Sequence, residues 1–385
     1  MRGATEKKYS LVEILFGVMI VLQVGFASDR EARPPISAQR VTGDFHTYAE
    51  AFAACSPDGR WLAFEYNELH DPDFPRVGMM RLAPGSHAWR PIVKGKPGRH
   101  LYVGDLSWSP DSRWLALITN YPEGAKDLWS GFNAQLVKVN VNTGEVVRLT
   151  NFPPNTLSGP TTAWLRSGSI VFTGDDENIY GVPENGGDVR KLIVVPKDKC
   201  GGVTNTLAVS PDEQSIIFEK DSGNESQTTE CNALWIGDLK TRGLRRLPTT
   251  GLRPLNPFWL DEDTVLFSGI DVEGGKWLPS GIYRVSLRTG EVSPVLKGFY
   301  DSPFVCDSGK TLYFSWGANL RTKSTSRDGF KFNDYYGFHI WKVPLRDVLQ
   351  QHSDQKHSGT METVNPKTRN RHPTAPVLTP GKPQP

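Results

Sequence analysis

Residues 52–68 read FAACSPDGRWLAFEYNE, and residues 105–121 read DLSWSPDSRWLALITNY. The two stretches share Ser-Pro-Asp-x-Arg-Trp-Leu-Ala. A good third copy is TLAVSPDEQSIIFEKDS from Thr206, and a weaker one is TTAWLRSGSIVFTGDDE from Thr161. NPFWLDEDTVLFSGIDV from Asn256 and SPFVCDSGKTLYFSWGA from Ser302 are degenerate copies. The residues just before the turn are Cys55, Trp108, Trp164, Val209, Trp259 and Val305, roughly fifty residues apart. Self-similarity at that period means stacked supersecondary units, none of which can bury its apolar face alone.

Each unit reads as four short strands. An apolar strand enters Ser-Pro-Asp-Gly, where Pro fixes φ and Asp or Gly closes the turn. A second strand follows, such as Trp61-Leu62-Ala63-Phe64 or Ser215-Ile216-Ile217-Phe218. A third alternates apolar residues, as in Ile282-Tyr283-Arg284-Val285 and Ile340-Trp341-Lys342-Val343. A fourth, such as Val146-Val147-Arg148-Leu149-Thr150, closes several units. Four strands per unit, repeated six times in a ring, predict an all-β, six-bladed β-propeller over residues 29–349. The sixth unit has no fourth strand of its own. Ala38-Gln39-Arg40-Val41-Thr42-Gly43, ahead of the first unit, resembles one. The N-terminal strand is therefore expected to pair near His339–Val343 and close the ring, removing an open edge.

Composition agrees. Gly 37 and Pro 29 among 385 residues exceed the usual share of about 12% and supply turns, while 11 Trp and 10% aromatics supply bulky core. A formal charge of +2 gives no footprint for nucleic acid.

The repeats resemble the TolB-like, WD40-like propeller family: SPDG, an apolar strand ending in Phe, then an Arg-Leu-Thr strand. The resemblance runs from about Ala38 to Leu349 and is strongest in units one, two and four. It implies an exported propeller. The same repeats build the propellers of prolyl-oligopeptidase-like peptidases. No Gly-x-Ser-x-Gly elbow occurs, and no stretch after residue 349 suggests an α/β-hydrolase domain, so peptidase activity is not expected in this chain.

The ends read differently from the body. Residues 1–10 are polar and net basic, and residues 11–27 are apolar apart from Glu13 and Gln23. Residues 1–28 are thus an export signal, cut before Ser28, or a retained anchor helix. Tyr9-Ser10-Leu11-Val12-Glu13 also resembles the start of type IV prepilins and pseudopilins, with Lys8 where those carry Gly. Residues 350–385 lack apolar periodicity, end in HPTAPVLTPGKPQP and read as a disordered, Pro- and Lys-rich tail.

Candidate chemistry is sparse. Cys200 and Cys231 flank strands of one unit and are expected to form a disulfide. Cys55 and Cys306, at or beside repeat core positions, are expected to be buried thiols. His46, Glu50, His100, Asp105, Asn205, Asn256 and Asp301 sit near the starts of first strands and are expected to ring the channel mouth. They could bind a metal, a sugar or a docked protein, or be solvated loop residues. The aspartates of the repeated turns, Asp58, Asp111 and Asp212, are turn elements, since catalysis does not need one per unit. Insertions between second and third strands fall at Leu69–Gly78 and Gly317–Gly337. The latter carries Arg321, Lys323, Arg327, Tyr335 and Tyr336, which suits a partner protein or glycan. No metal motif, catalytic motif or cofactor loop is found, and only the N-terminal segment suggests the membrane. The leading expectation is an exported, non-enzymatic propeller that binds a protein or cell-envelope partner. The alternatives are a polysaccharide-active lyase or hydrolase and a pseudopilin-like appendage subunit.

Overall fold

The computed structural model describes residues 37–42, 47–68, 71–83, 85–94, 101–121, 124, 134–153, 161–174, 176–197, 203–220, 233–249, 251–271, 279–298, 300–307, 309–319 and 336–349. The segments read as signal or anchor and as tail lie outside them.

Among the described residues, twenty-four strands form six four-stranded antiparallel sheets. The first strand, β1 (Gln39–Arg40), belongs to the last sheet. Blade 1 is β2 (Thr47–Cys55), β3 (Trp61–Glu68), β4 (Asp71–Arg81) and β5 (Trp89–Val93). Blade 2 is β6 (Ser107–Trp108), β7 (Trp114–Thr119), β8 (Gln135–Asn140) and β9 (Val146–Arg148). Blade 3 is β10 (Thr162–Trp164), β11 (Ser169–Thr173), β12 (Ile179–Pro183) and β13 (Arg190–Ile193). Blade 4 is β14 (Val203–Val209), β15 (Ser215–Lys220), β16 (Ala233–Asp238) and β17 (Leu244–Pro248). Blade 5 is β18 (Leu252–Trp259), β19 (Thr264–Asp271), β20 (Pro279–Ser286) and β21 (Val292–Lys297). Blade 6 is β22 (Tyr300–Cys306), β23 (Thr311–Asn319) and β24 (Tyr336–Pro344), completed on its outer side by β1.

The clasp forms as the sequence suggests. Gln39 pairs with Lys342 and Arg40 with Trp341, and Val41 N–H donates to Ile340 O at 2.8 Å. The chain then leaves the sheet in one helical turn over residues 345–349, whose Leu345 and Val348 are buried against blades 5 and 6. The repeated turns also behave as read. Ser56, Ser109 and Ser210 each donate their hydroxyl to the Asp two residues on at 2.6 Å. That Asp in turn accepts the backbone N–H of Arg60, Arg113 or Gln214. The Ser210 hydroxyl and the Gln214 N–H hold Asp212 below the usual carboxylate range. One reading needs correction. Much of Leu69–Gly78 is not a loop insertion, because β4 starts at Asp71 and pairs back to Glu68. The extra residues lengthen a hairpin.

The core consists of six apolar clusters, one at each junction between neighbouring blades. A fully buried Phe on the second strand anchors five blades: Phe64, Phe172, Phe218, Phe267 and Phe314. Blade 2 has Leu117 there. Burying each such side chain contributes about 1.5–3 kcal/mol, which is why the Phe-ending strand is the most regular part of the repeat.

Candidate functional site

The first strands β2, β6, β10, β14, β18 and β22 touch one another in a closed circle and so line the central channel. In blades 1, 4, 5 and 6 this strand is bulged, its register shifting at Ala51/Ala54, Val203/Leu207, Leu255/Phe258 and Asp301/Phe304. Phe52, Asn256 and Ser302 occupy the same repeat position and take left-handed φ values of 46°, 50° and 51°. Such backbone costs a non-Gly residue roughly 1–3 kcal/mol and is kept only where the surroundings enforce it. A bulge also interrupts the ladder and frees backbone donors. Here side chains take them up. Asn256 N–H donates to Thr206 Oγ1 at 3.2 Å, and Ser302 N–H to Ser268 Oγ at 3.0 Å and Asp301 Oδ1 at 2.7 Å.

The position occupied by Phe52, Asn256 and Ser302 carries Asp105, Thr161 and Thr206 in the other blades. Neighbours in this ring bond across blade junctions. Thr161 Oγ1 donates to Asp105 Oδ2 at 3.0 Å. Asn256 Nδ2 donates to Asp301 Oδ1 at 2.8 Å and to Ser302 Oγ at 3.2 Å. The expected channel-mouth residues Asp105, Asn256 and Asp301 are therefore brought to one ring. Asn205 lies on the adjoining stretch of β14, ahead of Thr206.

Glu65 joins them electrostatically. Enclosure by protein raises its carboxyl well above the ordinary range, and the charge of Asp105 adds to the effect. Asp105 is pushed up to about 7, mainly by enclosure; the Thr161 hydroxyl opposes this and Asp301 reinforces it. Water still reaches both side chains, which tempers the cost of charging them. Glu65 follows Phe64, at the position where other blades have Thr173, Glu219, Ser268 and Ser315. All four of those are buried polar residues. A polar residue after the strand-ending Phe was the readable signal for this layer. A carboxyl that titrates near neutrality inside a channel can hold or release a proton at a bound group, and the ring's oxygens can accept from hydroxyl or ammonium donors.

Glu50 is placed elsewhere. Its carboxylate is fully enclosed between blade 1 and β24, where it accepts from Thr42 Oγ1 at 2.7 Å and meets His339 Nδ1 at 2.7 Å, itself 2.9 Å from Arg40 Nη2 of the clasp. Nor are Cys55 and Cys306 thiols, as their core positions had suggested. They form a disulfide, with Cα atoms 6.1 Å apart. Their positions on β2 and β22 become neighbours only when the ring closes. His46, His100, Arg321, Lys323, Arg327, Tyr335, Cys200 and Cys231 lie outside the described residues. Tyr336 opens β24, paired with Asn319.

No family model matches the chain, and no curated protein matches its sequence. Solved structures do match its shape. A protein of unknown function from Bacteroides thetaiotaomicron is 11% identical with a TM-score of 0.50, over 80% of this chain and 75% of that one. An oligogalacturonate lyase in complex with manganese is 14% identical with a TM-score of 0.48, over 81% and 94%. A prolyl endopeptidase is 12% identical with a TM-score of 0.47, over 79% and 48%. At these identities the likeness shows the propeller fold alone.

Proposed function

We propose that this chain is an exported propeller of the TolB-like kind that binds a protein or cell-envelope partner, without catalysis, through the face bearing the channel mouth. The observation that carries this reading is the blade 6 hairpin. β23 and β24 are nine residues each, against five for β11 and β12 of blade 3. β22 pairs with β23 only as far as Tyr300 opposite Trp316, yet β23 and β24 stay paired to Asn319 opposite Tyr336. The hairpin thus overruns the start of the inner strand, and the sequence that joins Asn319 to Tyr336 holds Arg321, Lys323, Arg327 and Tyr335. β3 and β4 of neighbouring blade 1 extend in the same direction. The Cys55–Cys306 bond supports export, because such bonds persist in oxidising compartments. The test is cross-linking in the source envelope, comparing the full chain with one lacking residues 320–335. An adduct that survives the deletion sinks the reading.

A polysaccharide-active enzyme is the second reading, favoured by the near-neutral Asp105 beside Glu65. Turnover of a glycan panel by the full chain, abolished by Asp105→Asn, would replace the first reading with this one.

A further inference from the structure

Blades 1 and 6 meet where the two ends of the body meet, and three features shut that seam. The strand clasp is short, with two residue pairs. The disulfide links residues 251 apart. The third feature is the Glu50 carboxylate, held by Thr42 from the clasp and by His339 from β24. Thr42 Oγ1 also accepts the Ile340 N–H at 3.2 Å. One apolar cluster holds these together: Val41 of the clasp, Ile340, Tyr313, Phe304 and Cys306 of blade 6, and Leu62 and Phe64 of blade 1. Cys55 packs against it.

A two-pair strand frays when nothing else fixes it. What fixes β1 exists only while blades 1 and 6 stay in register. Partial opening is penalised, because Glu50 would lose Thr42 and His339 while still enclosed. The seam therefore has two arrangements, shut and open, rather than a continuum. We propose that Cys55–Cys306 is a redox-controlled latch for the N-terminal clasp: cutting it releases β1, Val41 and Thr42 from blade 6 while the other blades stay folded. This inference is independent of the partner reading.

The chemistry needs a dithiol reductant. Cys306 is buried and Cys55 is half-buried, so attack falls on Cys55 Sγ. The reductant's thiolate forms a mixed disulfide there, the Sγ–Sγ bond breaks, and Cys306 leaves as a thiolate and takes a proton. The reductant's second thiol then expels Cys55, also protonated, and closes its own disulfide. Two electrons and two protons pass to the protein, and an oxidised dithiol is produced.

Hydrogen exchange read by mass spectrometry tests this on the full chain carrying Cys200→Ser and Cys231→Ser, so that dithiothreitol touches only the seam bond. Reduction is expected to speed exchange in peptides spanning 39–42 and 338–343 at least about tenfold more than in 215–220 and 264–271, which respond only to the loss of global stability. Reoxidation should restore protection. Adding Cys55→Ser and Cys306→Ser should reproduce the fast exchange without reductant. Unchanged exchange at the clasp overturns the proposal. So does an equal acceleration over all blades, which would mean that the bond merely stabilises the whole ring.

Discussion

The junction between blades 1 and 2 and the junction between blades 6 and 1 do the same job with different means. At the first, Trp108 Nε1 donates to Ala54 O at 2.9 Å, Asp58 N–H donates to Ser112 Oγ at 3.1 Å, the Arg90 guanidinium donates to Val141 O, and apolar packing adds to these. Blades 4 and 5 repeat the device, with Trp259 Nε1 donating to Ala208 O at 3.1 Å. At the second, the partners are separated by nearly the whole body, and a strand clasp, a buried carboxylate and a disulfide are added to the packing. Chain connectivity explains the contrast. Consecutive blades are delivered to each other by a short link, so packing and a few hydrogen bonds suffice. Closing the ring restrains about 250 residues at once, and loop entropy must be offset at that single seam.

The comparison breaks most visibly by deletion. A chain beginning at residue 45 loses β1, the buried Val41 and the Thr42 bond to Glu50, leaving an enclosed carboxylate short of a partner. Its stability should fall by more than about 5 kcal/mol relative to a chain beginning at residue 29, read by urea denaturation. Equal midpoints would mean that the ring closes some other way. Removing the bridge with Cys55→Ala and Cys306→Ala comes next. A loop of about 250 residues is worth about 5 kcal/mol in the chain-entropy model, and relaxation in the folded state should bring the measured loss to about 3–5 kcal/mol.

The ordinary seam should yield less. Trp108→Phe keeps most of the buried ring but leaves the Ala54 carbonyl without its indole donor, for a loss of about 1–2 kcal/mol. A loss as large as that from the cysteine pair would erase the distinction between the junctions.

The smallest effect concerns the channel, away from either seam. Asp105 has a folded pKa raised from 3.8 to about 7. Between those values the folded chain holds a proton that the unfolded chain has released. The contribution of this group is thus fully present below pH 3.8 and is lost as pH rises through about 7. Asp105→Asn, which still offers an oxygen to Thr161, should melt a few degrees higher than the natural chain at pH 8. The gap should narrow towards pH 5 and close below pH 3.8. A difference independent of pH would remove the enclosed-carboxyl assignment.

How legible these features were follows from which contacts are local. The blades were readable because Ser-Pro-Asp turns, present in three units, and Phe-ending strands, present in five, are local signals at a fixed period. The clasp was readable as arithmetic, a missing strand at one end and an orphan strand at the other. Three of the channel residues that bond across junctions, Asp105, Asn256 and Asp301, were legible because their strand starts are polar. Glu65 was missed because one polar residue in an apolar strand looks incidental until Thr173, Glu219, Ser268 and Ser315 are aligned with it. The disulfide was missed for a geometric reason. Cys55 and Cys306 read separately as core residues of two repeats. Only joining the ring-closure argument to their shared place on inner strands puts blade 6 beside blade 1 and the two sulfurs within reach. Glu50 was taken for a mouth residue because nothing local shows that Thr42 and His339 will enclose it.

The most direct test of the covalent seam is a non-reducing peptide map of the full chain, alkylated while unfolded and before any reductant is added. The expected result is one cross-linked pair of peptides carrying Cys55 and Cys306, which separates on reduction, with Cys200 and Cys231 paired to each other. Alkylated Cys55 or Cys306, or either one joined to Cys200 or Cys231, would contradict the closure described for blades 1 and 6.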